Sequence, residues 1–475
     1  MSKKCIALFI SLLLTGAISC TDDKSFERIV SEKLISHVDS SFVGETFRVS
    51  PDSRQIAYGI TDGENWHVVI NNEKGKQNNG LLKGTPVFSP DSNRIAYAVR
   101  KGEKVSVVID GVEGDKEYYM ISEIVFSPDN NRVAYGAIEE ATSGGIPDYS
   151  AHIVIDGKEG KHYNIVGKNS IFFSPDSKQV AYVAGAGKTF DNIKVFMVTA
   201  EKEGKHYDKI SGGHRVFSPD SKRIAYGVRN DNRSFVVIDG EEEKYYDEIG
   251  TGTPVFSPDS KRIAYVALKG DKWFVVVDGK EGRHYDGILN TPVFSPDSKR
   301  IAYMALKGDK WFVVADGKEG GPYDSIDSDA FAFSPDSNHI TYKAGKDDKW
   351  FVIVDGKEGK EYDGILKGTP LFSPDSKQVA YSAKMDSKAF VVIDGNEGKQ
   401  YNGLSYVVFS PDSKHIAYSA VMNDKWLVVV DKKEGRQYDS IITFQGGRIF
   451  FDSPENLHYI AMRGKDILLI EETFK

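Results

Sequence analysis

The sequence predicts an all-β protein, a β-propeller of about eleven four-stranded blades. The main reason is a phrase close to F-S-P-D-S-K-R-I-A-Y that recurs along the 475 residues. Successive copies are 37 to 47 residues apart, which is the length of one four-stranded blade and too long for one rung of a β-helix. The eleven copies are marked by Pro51, Pro90, Pro128, Pro175, Pro219, Pro258, Pro296, Pro335, Pro374, Pro411 and Pro454.

The copy around Pro258 predicts how one blade is built. Proline presets φ in its Ser-Pro-Asp-Ser turn, and the Asp and Ser side chains can accept bonds from nearby backbone N–H groups. The third strand is a continuous apolar run, typical of a strand covered on both faces, and the fourth is polar, as expected of an outer edge. The predicted strands are residues 253–257, 262–267, 273–277 and 283–288.

Three sets of residues recur at fixed positions, and we predict that all three are structural. Tryptophans begin the third strand, where packing between blades explains them better than a ligand-stacking ring. Tyrosines end the phrase and are expected in the core. Aspartates follow the third strand and are expected to accept turn N–H groups, since no D-x-[DN]-x-[DN]-G loop occurs. The sets are Trp66, Trp273, Trp311, Trp350 and Trp426; Tyr58, Tyr97, Tyr135, Tyr182, Tyr226, Tyr265, Tyr303, Tyr342, Tyr381 and Tyr418; and Asp110, Asp156, Asp239, Asp278, Asp316, Asp355, Asp394 and Asp431.

Charge and histidine spacing exclude several kinds of site. The net charge is -8, and residues of both signs are interspersed in every repeat, so nucleic-acid binding is not expected. The ten histidines form no H-E-x-x-H pair or other ligand spacing. His162, His206 and His284 share one position on the polar fourth strand, which indicates a solvated edge. We therefore expect neither a metal site nor a cofactor.

The N-terminus has the features of an export signal at residues 1–19, with Lys3 and Lys4 ahead of an apolar stretch. The segment Ala-Ile-Ser-Cys at residues 17–20 resembles a bacterial lipobox, and this resemblance implies lipidation of Cys20. A plain secretory peptide with an incidental cysteine is the alternative. Residues 20–33 would then form a polar tether and residues 34–475 the propeller.

The two ends of the chain are predicted to share one blade. The last copy, residues 448–471, supplies three strands and ends without a fourth. Residues 37–42 resemble the fourth-strand segment 284–289, so an N-terminal strand is expected to complete the last blade and leave no unsatisfied edge. Eleven blades could form one large ring or two rings. The even spacing from Pro219 to Pro411, without a linker, favours one ring.

The F-S-P-D-S-x-x-I-A-Y phrase resembles the WD-like repeat of TolB-type β-propellers, which are common in bacterial envelope proteins. The resemblance covers the whole repetitive body and implies a platform for protein interactions. Some propellers of this kind precede peptidase domains. This chain has no G-x-S-x-G elbow and no Ser, His and Asp set outside the repeats, so a peptidase function is not carried over.

Departures from the repeat are where binding is expected, because in repeat proteins they lie in loops on one face. Two copies are enlarged between the second and third strands, at residues 139–149 and 185–192. A third departure, residues 442–447, is expected to join a fourth strand to the next first strand on that face. The predicted binding residues are Glu139, Glu140, Pro147, Asp148, Tyr149, Lys188, Thr189, Phe190, Asp191, Phe444 and Gln445.

These features favour a non-enzymatic, monomeric propeller in the bacterial cell envelope, held to the membrane by a lipid anchor only. Its partner would be an envelope protein or an extended ligand, bound on the face with the irregular loops. A hydrolase or lyase that acts on glycan or peptide at the propeller channel is one alternative. A purely structural envelope protein is the other.

Overall fold

The computed structural model describes residues 27–143, 146–187 and 192–475, and these form eleven four-stranded antiparallel blades in one ring. The prediction of an all-β propeller with eleven blades in a single ring is confirmed. In the described ranges no helix has the length and apolar character needed to cross a membrane. The predicted signal peptide and Cys20 lie outside the described residues.

The strands are numbered in chain order. Blade 1 contains β2 (Phe42–Val49), β3 (Ile56–Thr61), β4 (Trp66–Ile70) and β5 (Glu73–Lys74), and blade 2 contains β6 (Gly80–Leu81), β7 (Val87–Phe88), β8 (Ile95–Lys101), β9 (Lys104–Ile109) and β10 (Val112–Glu113). Blade 3 contains β11 (Met120–Phe126), β12 (Val133–Ser143), β13 (Ile146–Ile155) and β14 (Lys158–Glu159). Blade 4 contains β15 (Ile165–Val166), β16 (Phe172–Phe173), β17 (Val180–Ala186), β18 (Lys194–Thr199) and β19 (Lys202–Glu203). Blade 5 contains β20 (Lys209–Phe217), β21 (Ile224–Asn230), β22 (Arg233–Ile238) and β23 (Glu241–Glu242), and blade 6 contains β24 (Glu248–Ile249), β25 (Val255–Phe256), β26 (Ile263–Lys269), β27 (Lys272–Val277) and β28 (Lys280–Glu281). Blade 7 contains β29 (Gly287–Phe294), β30 (Ile301–Lys307), β31 (Lys310–Ala315) and β32 (Lys318–Tyr323). Blade 8 contains β33 (Ser325–Phe333), β34 (Ile340–Lys346), β35 (Lys349–Val354) and β36 (Lys357–Glu358). Blade 9 contains β37 (Gly364–Ile365), β38 (Leu371–Phe372), β39 (Val379–Met385), β40 (Lys388–Ile393) and β41 (Asn396–Glu397). Blade 10 contains β42 (Gly403–Phe409), β43 (Ile416–Met422), β44 (Lys425–Val430) and β45 (Lys433–Tyr438). Blade 11 contains β46 (Ser440–Ile441), β47 (Phe450–Ser453), β48 (Asn456–Arg463) and β49 (Asp466–Phe474), together with the N-terminal strand β1 (Arg28–His37).

The first strand of several blades is split into two pieces that pair with the same second strand. In blade 6 these pieces are β24 and β25, and the chain leaves the ladder between them. The Thr253 hydroxyl lies in the gap, where it donates to the Gly250 carbonyl (2.7 Å) and accepts from the Val266 N–H (3.4 Å). A side chain thus replaces backbone bonds that the bulge removes from the ladder.

The fourth strand is shorter than the sequence predicts, and the predicted segment 283–288 is wrong in its second half. In blade 6 it consists of β28 and an isolated bridge from Tyr285 to Trp273. Gly287 already begins β29 and pairs with Leu306 of blade 7. The chain therefore changes sheets at Asp286.

The Ser-Pro-Asp-Ser turn links neighbouring blades over most of the ring. In blade 6 the Ser257 hydroxyl donates to Asp259 (2.6 Å), whose carboxylate also accepts from the Lys261 N–H (3.1 Å). The last serine of the turn, Ser260, has a φ of +65° and accepts a bond from the Asp220 N–H of blade 5 (2.9 Å). The same bond recurs from blade 1 to blade 10. At the junction of blades 11 and 1, the Arg448 N–H donates to the Ser53 hydroxyl (3.2 Å).

The N-terminal strand completes the last blade, as predicted, but it lies further upstream. The strand β1 pairs antiparallel with β49, from Arg28 opposite Phe474 to His37 opposite Asp466. The matching segment 37–42 therefore spans the junction where β1 ends and β2 begins. Because β1 starts at Arg28, the propeller includes residues that the sequence assigned to the tether before residue 34.

The predicted core and turn residues lie where the repeat places them. The ten tyrosines of the phrase are all buried, with 1% to 8% of their surface exposed, and the tryptophans of blades 6, 7, 8 and 10 are half-buried against neighbouring core residues. Asp278 shows the role of the recurring aspartates, since it accepts bonds from the Ile263 N–H (3.0 Å) and the Arg262 guanidinium (3.0 Å). These aspartates are turn acceptors, as predicted.

Candidate functional site

The enlarged copy at residues 139–149 is an extended hairpin of two long strands, β12 and β13. In blade 6 the corresponding ladder ends at Lys269 opposite Lys272, and the equivalent pair in blade 3 is Glu139 opposite Ser150. Four more pairs follow in blade 3, up to Ser143 opposite Ile146. At about 3.4 Å per residue, the ladder extends about 14 Å beyond that of the regular blade. Pro147 and Asp148 belong to β13, and their side chains lie outside the described residues.

Two exposed tyrosines lie at the base of this hairpin. Tyr149 is 40% exposed and Tyr119, just before β11, is 39% exposed. Their ring centroids are 5.0 Å apart, and hydrogen bonding with Tyr119 raises the pKa of Tyr149. We call Tyr119 and Tyr149 the tyrosine pair. Glu140 lies directly opposite Tyr149 in the ladder, so the pair carries a carboxylate beside it.

A cleft of about 330 Å³ lies between the hairpin and blade 4. It is lined by Tyr149 and His162 on one side and by Ala186 and Glu203 on the other. Ala186 lies near the start of the second enlarged segment, residues 185–192, whose predicted binding residues Lys188, Thr189, Phe190 and Asp191 lie outside the described residues. The bases of the two enlarged copies therefore share one cleft.

The third departure lies at a different place and has a different origin. Residues 442–447 lie between β46 and β47, inside the split first strand of blade 11, so the prediction that they join a fourth strand to a first strand is wrong. Phe444 is 55% exposed and its ring lies 6.2 Å from that of Phe47 in blade 1. The Gln445 carbonyl accepts a bond from the Val49 N–H (3.0 Å). These contacts join blade 11 to blade 1, and none of the described ones reaches the hairpin.

The structure also brings together three residues that the sequence did not connect. Glu139 from β12, His152 from β13 and His162 from the segment after β14 each place a potential ligand atom within 4.8 Å of the others. His152 is fully buried, and neither ring nitrogen has a hydrogen-bond partner. The ring centroids of His152 and His162 are 4.3 Å apart. We call Glu139, His152 and His162 the histidine cluster.

Equivalent histidines in other blades show what is different here. His206 and His284 occupy the position of His162, and each stacks on a phenylalanine of the third strand, Phe196 at 4.3 Å and Phe274 at 4.7 Å. In blade 3 that phenylalanine is replaced by His152. The sequence therefore contained a signal, a histidine at a position that is phenylalanine in blades 4 to 9, which a search for ligand spacing along the chain could not detect. Blade 1 also has a histidine there, His67, but Nδ1 of its ring contacts the Gly75 carbonyl (3.0 Å).

Burial is the largest influence on the pKa of His152. Burial lowers the pKa of the His152 imidazole, and the neighbouring His162 acts in the same direction. A carboxylate oxygen of Glu159 lies 3.8 Å from Nε2 of His152, but this carboxylate is engaged by the Lys116 ammonium (2.6 Å) and the Tyr118 hydroxyl (3.2 Å). The Lys116 bond lowers the pKa of Glu159.

No protein-family model matches the chain, and no curated protein matches it. Several solved structures show a partial similarity to the chain. A eukaryotic initiation factor is 13% identical over 74% of this chain and 97% of its own, with a TM-score of 0.38. TolB from Acinetobacter baumannii is 15% identical over 62% of this chain and 82% of its own, with a TM-score of 0.25. The β-propeller domain of the Trilobed protease from Pyrococcus furiosus is 15% identical over 60% of this chain and 97% of its own, with a TM-score of 0.28. These similarities concern the fold and carry no functional argument.

Proposed function

We propose that the protein is a non-enzymatic binding scaffold, exported and anchored by a lipid on Cys20, that holds an envelope protein or an extended ligand at the hairpin of β12 and β13. The observation that carries this proposal is the hairpin, which extends the ladder of one blade beyond that of its neighbours and has the tyrosine pair at its base. Departures from a repeat are typical binding regions of repeat proteins.

The tyrosine pair has the chemistry of an interface anchor. Tyrosine offers a large apolar ring and a hydroxyl at a small cost in conformational entropy, and it is enriched among residues that dominate binding energy. The adjoining cleft adds Lys161 and Glu203 as polar partners beside Tyr149. A partner that inserts a side chain into this cleft would contact Tyr149 and blade 4 together.

The hairpin also offers backbone groups to an extended ligand. The strand β12 pairs with β11 only as far as Ile138 opposite Met120, and in the described residues no strand lies on that side of residues 140–143. An edge of this kind can accept a further strand from a partner through main-chain hydrogen bonds. This mode of binding fits an extended peptide segment of a partner protein.

The test is to shorten the hairpin without disturbing the blade. Residues 140–149 are replaced by Gly-Asp, the turn that joins the equivalent pair Lys269 and Lys272 in blade 6. Affinity capture from the extract of the protein's own cell envelope is then compared between wild type and this variant. We expect the partner to be lost while the midpoint of thermal unfolding stays unchanged, because the register from Glu139 to Ser150 is preserved.

A matched control is Phe444→Ala, which removes another exposed aromatic side chain at the junction of blades 11 and 1. This variant should capture the partner as wild type does. Equal capture by wild type and the shortened variant would show that the hairpin is not the binding site. Loss of capture by Phe444→Ala alone would place the site at the ring junction and contradict the proposal in the same way.

A further inference from the structure

The histidine cluster results from the register of blade 3. Ala137 lies opposite His152, and Glu139 lies opposite Ser150, so Glu139 and His152 are diagonal neighbours on one face of the hairpin. Side chains in such positions are within reach of each other. His162 directly precedes Tyr163, which forms a bridge with Ala151, and this places the His162 ring against that of His152. Three consecutive strand segments thus bring one potential donor each to a single point.

His152 is the residue that a purely structural role does not explain. Its side chain is completely buried, and both ring nitrogens lack a hydrogen-bond partner. A buried polar group without a partner is unfavourable, and native structures rarely retain one. The phenylalanine of blades 4 to 9 would fill the same position without this cost. An ion held by the cluster would use a lone pair of His152 and remove part of the penalty.

We propose that Glu139, His152 and His162 bind a divalent transition-metal ion, and that Zn²⁺ is the ion that fits these donors best. Two imidazoles and one carboxylate form a donor set found in zinc sites, with the remaining coordination positions open to water or to a ligand. A hard ion such as Ca²⁺ would require more oxygen donors than the cluster supplies.

The surroundings of the histidine cluster let an ion enter from solvent and hold one of its ligands in place. The three potential ligand atoms lie within 4.8 Å of one another. Because His162 is exposed and Glu139 half-buried, these two side chains can move their ligand atoms to zinc-binding distances. The Ser150 hydroxyl is 2.7 Å from Nδ1 of His162, a contact that would fix this ring while Nε2 carries the lone pair. Glu139 lines a cleft of about 610 Å³ and His162 lines the cleft next to the hairpin, so the cluster is accessible from both sides.

The repeats provide substitutions that the fold already accepts at equivalent positions. Phenylalanine, glutamine and lysine stand in other blades where blade 3 has His152, His162 and Glu139. The variants His152→Phe, His162→Gln and Glu139→Lys therefore remove one donor each and retain a blade-compatible side chain. His206→Gln is the matched control, because it removes the equivalent histidine of blade 4, which stacks on Phe196.

The experiment measures Zn²⁺ binding by the full chain, without an affinity tag, after treatment with a chelator. Competition with a chromophoric chelator gives stoichiometry and affinity, and the visible spectrum of the Co²⁺ form reports imidazole coordination. We expect about one ion per chain, and each of the three cluster variants should weaken binding by at least about tenfold. His206→Gln should bind as wild type does. Circular dichroism checks that every variant is folded.

Absence of Zn²⁺ binding by the wild type would overturn the proposal. Equal affinity of wild type and the two surface variants, His162→Gln and Glu139→Lys, would do the same, and this comparison remains decisive even if His152→Phe fails to fold. The variant with the shortened hairpin retains Glu139, His152 and His162. It should therefore still bind Zn²⁺, which separates this site from the proposed partner site.

Discussion

Replacing Glu32 by glutamine should weaken the closure of the ring, and the effect should depend on pH. Glu32 lies on β1, and its carboxylate accepts hydrogen bonds from both terminal nitrogens of the Arg463 guanidinium (2.8 Å each). It also accepts hydrogen bonds from the Arg436 guanidinium (3.1 Å) and the Tyr438 hydroxyl (2.9 Å). Its side chain is 18% exposed. The hydrogen bonds from Arg463 lower the pKa of Glu32 from 4.5 to about 2.

The magnitude follows from this pKa. The difference between 4.5 and about 2 corresponds to about 3 kcal/mol. Solvent contact of the two arginines reduces the net contribution to about 1–2 kcal/mol. Since the pKa is lower in the folded state, this stability is fully present above the unfolded value of 4.5, and it is lost as the pH falls from there towards about 2. Glu32→Gln should therefore reduce the free energy of unfolding by about 1–2 kcal/mol at pH 7 and by progressively less below pH 4.5.

The assay is chemical denaturation of wild type and variant at pH 7 and at several values between pH 5 and pH 3. Glu281→Gln is the matched control, because Glu281 occupies the equivalent position between blades 5 and 6, where it binds Lys244 and the Tyr246 hydroxyl (3.3 Å). Glu281→Gln should reduce the free energy of unfolding less than Glu32→Gln, because β28 is already joined to β27 by a short turn, whereas β1 comes from the other end of the chain and is held to blade 11 by non-covalent contacts alone. A difference between wild type and Glu32→Gln that stays constant from pH 7 to pH 3 would refute the reasoning.

Two further predictions concern the anchor and the links between blades. Cys20→Ser should move the protein from the membrane fraction to the soluble fraction of a cell extract, and an unchanged distribution would exclude a lipid on this cysteine. Ser260→Ala should reduce the free energy of unfolding by about 1–2 kcal/mol, because it leaves the Asp220 N–H without its acceptor, as chemical denaturation would measure. Ser260→Asn should cost less, since Asn130 has a φ of +66° and accepts the equivalent bond from Asp91 (2.9 Å). Equal losses for the two substitutions would contradict this role.

The features that the sequence predicted correctly are those set by local geometry. The phrase around Pro258 encodes a strand, a turn and a strand, and most of its residue types have a reason within about ten residues. Closure by an N-terminal strand was also predictable, because the last copy lacks a fourth strand and an open edge is unfavourable.

The features that the sequence did not reveal depend on contacts between distant residues. The role of Ser260 is to accept a bond from Asp220, which lies 40 residues earlier in the preceding blade. The split first strand depends on a hydroxyl of Thr253 that reaches Val266 across the ladder. The fourth strand was predicted too far downstream because Gly287 pairs with the next blade, and no local pattern marks the residue where a chain changes sheets.

Blade 3 combines several departures from the repeat in one pair of strands. Its hairpin is longer than that of the regular blade, Glu139 stands where blades 2, 6, 7 and 8 have lysine, and His152 stands where blades 4 to 9 have phenylalanine. The position of His152 varies around the ring, with His67 in blade 1, Ser106 in blade 2 and Leu427 in blade 10. In blade 3 the half-buried Glu139 meets the buried His152, whose imidazole has no hydrogen-bond partner. The departure at Phe444 differs, because it lies where blade 11 meets blade 1 and its contacts serve ring closure. Function is therefore to be sought first in blade 3, where the hairpin and the histidine cluster share the same two strands.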